Sequence, residues 1–404
     1  DLSLPQVAGT ADVVFEGMRL LRLTNIDGRS GQAGFSGELS MSRTGSTTQV
    51  AGAIELEEAS AEGIAAALFG RSGLLRFDQG PVPDGPVVID EPPWQTRGSV
   101  AITAPATTLG GAPWLGETSF ELTWDSTRLR LAAFEAGLGD GRVSADITVC
   151  CAGALPEKTV SGRATLDNVA LAGVMPPAVS RSLSGTLEGG VRFEGSGTDL
   201  RAIAGTLSGE GSFSVAGLTV ENLAPQAYET VAGLGNVLDM EADALSNVIR
   251  MSLDVGPFRA EAADGAFTIA GGVARFANLS VDGQGARLTG GVDVALDTLG
   301  LDGTFTMTPR GVIDESGMVG ADTARITSRL SGTLLAPERT LDLDTMVAAI
   351  QVRANEIEVE RLEALRIEDE ARQRAAAQER NRLIEEQMRQ RAEEEARRAA
   401  EEAA

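Results

Sequence analysis

The sequence predicts a mainly β protein: a long, mostly antiparallel run of strands with one apolar face, a few short helices and a long C-terminal helix. Three observations carry this. Across residues 259–307 apolar and polar side chains alternate in strict twos, broken by Gly and Asp clusters about every 8–12 residues. Phe267, Ile269, Gly271 and Val273 fall on one side, followed by Leu279 and Val281. Then come Leu288, Gly290, Val292, Val294 and Leu296, and finally Leu301, Gly303, Phe305 and Met307. A helix cannot satisfy this pattern, because residues two apart point to nearly opposite sides of it. Secondly, aromatic residues make up only 4% of the chain while glycine reaches 48 of 404, so the interior is built from small and aliphatic groups. Thirdly, beyond residue 343 the composition turns to Ala, Arg, Glu and Gln, the residues of a solvated helix.

In chain order, residues 1–79 hold strands at 7–15, 20–26, 32–40 and 48–54, with turn signals at Asn25-Ile26-Asp27-Gly28 and Arg43-Thr44-Gly45. A short helix is expected over 57–69. Ile64, Ala67 and Leu68 share its apolar face, and Glu58 and Glu62 occupy its early turns, where the helix dipole favours them. Residues 80–97 read as a Pro-rich loop, with Pro81, Pro83, Pro86, Pro92 and Pro93, which no central strand tolerates. Strands resume within 98–179, at 98–103, 118–124, 129–134, 142–149 and 159–166. Trp94, Trp114 and Trp124 fall in or beside this segment and are expected to cap the open end of a sheet.

Residues 180–343 open with strands at 184–193 and 202–215. Between 224 and 249 the period changes to helical, with Tyr228, Val231, Leu234, Val237, Leu238, Leu245, Val248 and Ile249 as its apolar stripe. Gly233 and Gly235 divide it into two short helices, read as a plug over one end of the sheet. In 344–404, Met346, Val347 and Ile350 are expected to pack on the sheet. The remainder reads as a solvated, partly frayed helix of ~90 Å at 1.5 Å per residue, with Glu–Arg pairs such as Glu385–Arg389 and Glu393–Arg397.

The formal charge of −24 excludes nucleic acid as an expected partner, since phosphate binding requires Lys and Arg in excess. No histidine is present, which removes the commonest general base and the His-containing triads and zinc sites. Asp264, Asp282, Asp297 and Asp302 read as turn formers rather than as catalytic pairs. No enzyme, metal or cofactor site is expected. The adjacent Cys150 and Cys151 face opposite sides of a strand and suit a strained vicinal disulfide poorly. No run of eighteen apolar residues occurs. The chain opens at Asp1-Leu2-Ser3-Leu4 in strand-like sequence, as an excerpt of a longer protein would.

One-faced strands must hide their apolar side, as a closed sandwich, a β-solenoid or a long sheet curled into a trough. An Ala, Gly, Val and Leu lining suits the trough. Three segments also resemble the C-terminal region of the AsmA-like family. The first is FRAEAADGAFTIAGGVARFANLSVDGQGARLTGGVDVALDTLGLDGTFTM, with the family's G-x-F-x-I-x-x-G-V phrase at 265–273. The others are SLSGTLEGGVRFEGSGTDLRAIAGTLSGEGSFSVAGLTVENL at 182–223 and SRLSGTLLAPERTLDL at 328–343. The resemblance covers residues 180–366 and extends loosely to the N-terminal half.

That resemblance implies a long twisted sheet curled into a groove, on a periplasmic protein tethered to the inner membrane by a segment upstream of residue 1. It implies shielding of phospholipid acyl chains, in support of lipid transport between membranes and of outer-membrane assembly. The lining residues it points to are Val191, Phe193, Leu207, Phe213, Val215, Phe267, Ile269, Leu288, Val292, Val294, Leu301 and Phe305. The partners it implies are acyl chains, the inner membrane with the outer membrane as a further candidate, and an envelope protein for the C-terminal helix. The other reading is a non-enzymatic sandwich or solenoid whose tail recruits partners.

Overall fold

A computed structural model describes residues 7–17, 19–31, 33–69, 96–150, 158–198, 200–235, 237–311, 314, 317–320 and 322–402. The Pro-rich segment up to residue 95, Trp94 and Cys151 lie outside the described residues.

The N-terminal strands are β1 (Val7–Glu16), β2 (Leu20–Ser30), β3 (Ala33–Thr44) and β4 (Thr47–Leu56). A small sheet of β5 (Ala59–Ser60), β7 (Thr107–Leu109) and β8 (Ala112–Leu115) accompanies helix α1 (Ala61–Phe69). Next come β6 (Thr96–Ala104), β9 (Thr118–Trp124), β10 (Arg128–Leu138), β11 (Gly141–Cys150) and β12 (Lys158–Ala170). Helices α2 (Leu171–Val174) and α3 (Pro177–Ser180) lead into β13 (Leu183–Gly197), and α4 (Leu200–Thr206) leads into β14 (Ser208–Val220). Helices α5 (Gln226–Ala232) and α6 (Ala242–Leu253), with a 3-10 turn at Val237–Asp239, precede β15 (Phe258–Ala270). The sheet finishes with β16 (Val273–Asp282), β17 (Ala286–Ala295), β18 (Leu301–Pro309), β19 (Ile326–Thr333) and β20 (Ala336–Asp342), and α7 (Asp344–Glu402) ends the chain.

Seventeen strands form one sheet, and its spatial order follows the chain. Strands β1 to β4 are successively antiparallel, β4 is parallel to β6, and β6 is antiparallel to β9. From β9 to β20 every strand is antiparallel to the next. Strands β1 and β20 do not pair, so the sheet is not a barrel. Sixteen spacings of ~4.8 Å make it ~77 Å across if laid flat.

It is not flat. Six spacings separate β14 from β20, ~29 Å in a flat sheet. Yet Arg339 on β20 donates from Nη1 and Nη2 to the carbonyl oxygens of Glu221 and Asn222, just past β14, at 3.2 and 2.9 Å. One side chain cannot bridge that distance, so the C-terminal half of the sheet curls round.

Because strand directions alternate, α2–α3, α5–α6, the described residues between β18 and β19 and the start of α7 all gather at one rim. The β5–β7–β8 sheet and α1 join them there. Among the described helices only α4 sits at the opposite rim. Helices α5 and α6 form the expected plug: Ala227, Tyr228, Val231, Leu245, Ile249 and Leu253 are fully buried against strand residues that include Phe258, Met307 and Ile326. The Tyr228 hydroxyl donates to the Met307 carbonyl at 2.8 Å, and burial raises its pKa. On α7, Met346, Val347, Ile350 and Ala354 are buried, and from Val359 to its end the helix is exposed. It runs unbroken to Glu402. Ion pairs form along it at Arg372–Glu368, Arg374–Glu370 and Arg397–Glu401 rather than at the expected positions.

Several expectations need correction. Asn25-Ile26-Asp27-Gly28 is not a turn: Asn25, at φ 47°, marks a bulge inside β2, its amide donating to Asp12. The first helix starts at Ala61, not Glu57. Ser60 Oγ accepts from Gly63 N at its start, while the Glu57 carboxylate accepts from Gly34 N. Leu68 is its buried residue and Ala67 is exposed. Residues 202–206 are helical, since Leu200, Ile203 and Ala204 bury one face of α4. Strand β6 takes in Thr96 and Arg97, which the sequence had placed in the loop. Asp264 and Asp302 lie within strands, on the polar face.

Candidate functional site

Residues paired across an antiparallel ladder project to the same side, so the register traces each face across the sheet. One row runs Ile54, Ile102, Phe120 on β4, β6 and β9. On the far side it continues Ala164, Val191, Gly211, Phe267, Phe276, Val292, Gly303, Leu330 on β12 to β19. The neighbouring row runs Leu166, Gly189, Phe213, Gly265, and then Leu279, Gly290, Phe305, Ser328. Together they make one apolar floor. The opposite face is polar. Asp146 there accepts from Arg130 Nε at 2.8 Å, and this bond, aided by the Arg130 and Arg163 charges, holds its carboxyl below the usual range. A shallow depression of about 680 Å3 on that face is lined by Arg130, Asp146, Arg163, Arg192 and Glu210 among others. Arg130 and Arg163 both pair there with Asp146, so it reads as an ion-paired surface, not as the apolar site.

All twelve residues singled out in the sequence lie on the apolar face. Val215, Ile269 and Leu288 are buried. Val191, Phe193, Leu207, Phe213, Phe267, Val292, Val294, Leu301 and Phe305 are half-buried. Among the described residues no second large sheet covers them, and the β5–β7–β8 sheet is confined to one rim. The closed sandwich is therefore not the fold. At the N-terminal edge the floor is barer still: Val13 and Phe15 on β1 are 51% and 72% exposed.

Glycines shape this floor. Phe193 stands opposite Gly162, Phe267 opposite Gly211, Phe213 opposite Gly265 and Phe305 opposite Gly290. A Cβ on Gly162 would sit 2.8 Å from Phe193 Cζ, and one on Gly265 2.6 Å from Phe213 Cζ. Each ring thus lies over the space its partner lacks, instead of standing up into the trough. At the N-terminal end Phe35 and Trp124 use Gly28 and Gly98 in the same way. Trp124 also donates from Nε1 to Thr96 Oγ1 at 3.1 Å, while Trp114, on the β8 rim, is exposed.

The sequence reading missed Phe276, which stacks on Phe267 with centroids 4.8 Å apart and meets Phe213 edge-on at 5.7 Å. It also placed Gly271 and Val273 with Phe267. The two-residue turn Gly271–Gly272 instead reverses the phase, pairing Ile269 with Ala274 and turning Val273 to the polar side with Ala270. A bulge at Asn278 (φ 54°) reverses it again, which returns Leu279 and Val281 to the floor.

Among the described residues no helix is long and apolar enough to cross a membrane. Comparison with family models, curated proteins and solved structures returns no match. The site is accordingly defined by its geometry alone: a long, curled, one-sided apolar trough.

Proposed function

We propose that this chain is the groove-bearing part of an AsmA-like envelope protein, periplasmic and tethered to the inner membrane, which shields phospholipid acyl chains between membranes. One observation carries the reading: the apolar floor continues across the sheet while many of its central residues are only partly buried, and among the described residues no second large sheet lies over them. Exposed contiguous apolar surface is unfavourable by ~25 cal/mol per Å2, so such a face is kept for an apolar occupant. Acyl chains fit it, with ~0.8 kcal/mol gained per buried CH2. The headgroups would stay in water at the margin of the trough. The shielding is passive and needs no catalytic group or cofactor.

The test is photo-cross-linking in envelope-expressed protein, followed by mass spectrometry of the adducts. Probes at Phe267, Val292 and Phe305 are expected to capture phospholipid, and probes at Thr268, Asp293 and Thr304 on the polar face are not. Equal capture from both faces, or none from either, would overturn the reading.

A further inference from the structure

The floor of β13 to β20 carries one charged side chain among the described strand residues. Arg339 is the register partner of Leu330, so it ends the row that runs back through Gly303 and Val292 to Phe276 and Phe267. Its neighbour on the same side, Leu341, pairs with Ser328 at the end of the Phe305 row. The guanidinium is fixed by two backbone carbonyls, those of Glu221 and Asn222. Carbonyls orient a cation without neutralising it. Among the described residues no carboxylate stands within ion-pair distance of Arg339, the Asp254 charge acting on it only from farther off, unlike the partners of Arg130, Arg275 or Arg287. Five N–H donors less two leaves three, in a planar fork suited to two oxygens of one anion.

We propose that Arg339 is a headgroup site: it binds the phosphate of a phospholipid whose acyl chain lies across the strands along the Leu330–Phe276 row. The proposal rests on the lipid-shielding reading above. The dimensions agree. Four strand spacings from β20 to β16 span ~19 Å, while one leaflet of hydrocarbon is ~15 Å thick, half of the ~30 Å core. Gly303 keeps the floor low between Leu330 and Val292, where a Cβ would meet Val292 Cγ2 at 3.0 Å. A tail can therefore lie flat from the cation to the Phe267–Phe276 stack. The site takes one class of ligand, a phosphate ester at the end of an acyl chain.

The test uses the full chain, delipidated in maltoside micelles, with native mass spectrometry and titration as readouts. The probes are dioleoyl phosphatidic acid, dioleoylglycerol with the same tails and no phosphate, and inorganic phosphate. The unaltered chain is expected to hold phosphatidic acid about tenfold more tightly than dioleoylglycerol, the worth of a charge-assisted contact. Arg339→Gln removes that preference and leaves dioleoylglycerol binding as it was. Arg339→Lys keeps the cation and part of the preference. Should the Gln variant not fold, the Lys variant and the loss of the preference in high salt carry the test. Equal binding of both lipids to the unaltered chain would overturn the headgroup site while leaving the trough intact. Binding of neither would overturn the trough itself. Inorganic phosphate bound as tightly as phosphatidic acid, and lost with Arg339→Gln, would assign the site to the free anion and overturn the lipid headgroup.

Discussion

At the residue scale, the floor depends on which side chains are missing as much as on which are present. Gly265 leaves the space that the Phe213 ring occupies, and Phe213 in turn meets Phe276. Gly265→Ala would press its Cβ on Phe213 Cζ and on Leu279 Cδ2, both movable ends of side chains. The expected outcome is a folded protein destabilised by about 1 kcal/mol in a denaturant melt, since overpacking is only partly offset by the lower backbone entropy of Ala. Its ring rises into the trough, so cross-linking from Phe267 falls. On the polar face, Asp146 has its pKa lowered chiefly by the Arg130 bond, and its side chain is 18% exposed. A carboxylate with a depressed folded pKa contributes stability above its unfolded value, near 3.9, and loses it as pH falls through the folded value. Asp146→Asn is therefore expected to cost about 1 kcal/mol at pH 7. The difference should shrink in melts at acid pH, as the carboxyl becomes protonated; a gap of unchanged size would mean the loss is one of packing. Which Phe meets which Gly is set by cross-strand register, and nothing in the linear order announces it.

At the scale of elements, α7 divides into two parts with different roles. Its first three turns bury Met346, Val347, Ile350 and Ala354 in the same cluster as Tyr228 and Ile326. The rest, with Val359, Leu362, Leu383 and Met388 at 55–63% exposure, packs on none of the described strands. Truncation after Arg366 should leave the thermal melt and the β signal unchanged. Truncation after Asp342 removes buried apolar groups worth ~1.5–3 kcal/mol each and should unfold or aggregate the C-terminal half. A loss of melting temperature from the first cut would show that the distal helix packs on the sheet. The division was legible in the sequence, because Met346, Val347 and Ile350 share a helical face and the apolar stripe fades after them. The strands were legible for a similar reason, since one buried face forces alternation. What alternation cannot disclose is a change of phase. The Gly271–Gly272 turn and the Asn278 bulge each shift it by one residue. The two shifts cancel by Leu279, so the reading was right there, wrong at Val273, and blind to Phe276 between them. Asn25 misled in the same way, because a residue that tolerates positive φ serves a bulge as well as a turn.

For the whole molecule the question is whether the apolar face is a packed core or an open trough, and Val292 and Val294 decide it. Both lie in the second half of β17, both are half-buried, and their register partners Gly303, Phe276, Leu301 and Ala274 belong to the same floor. Alternation fixed their side of the sheet in advance, but what covers that side is a property of the whole curl and could not be read from any stretch of sequence. In a close-packed core, Val292→Asp with Val294→Asp would bury two unpaired charges at several kcal/mol, comparable with the stability of a domain. In an open trough, water reaches both carboxylates when no lipid is present. The plug is unaffected, because its buried strand contacts lie two rows from Val292, on Leu288, Met307 and Ile326. The double variant should therefore stay soluble and β-rich, with a melting temperature lowered by a few degrees. It should carry no phospholipid in native mass spectrometry, since two anions now stand where tails would lie. It should also fail to restore function in cells lacking the parent protein. Unfolding of the variant would show that the face is sealed by protein contacts, and a folded variant that still holds lipid would place the path elsewhere on the sheet.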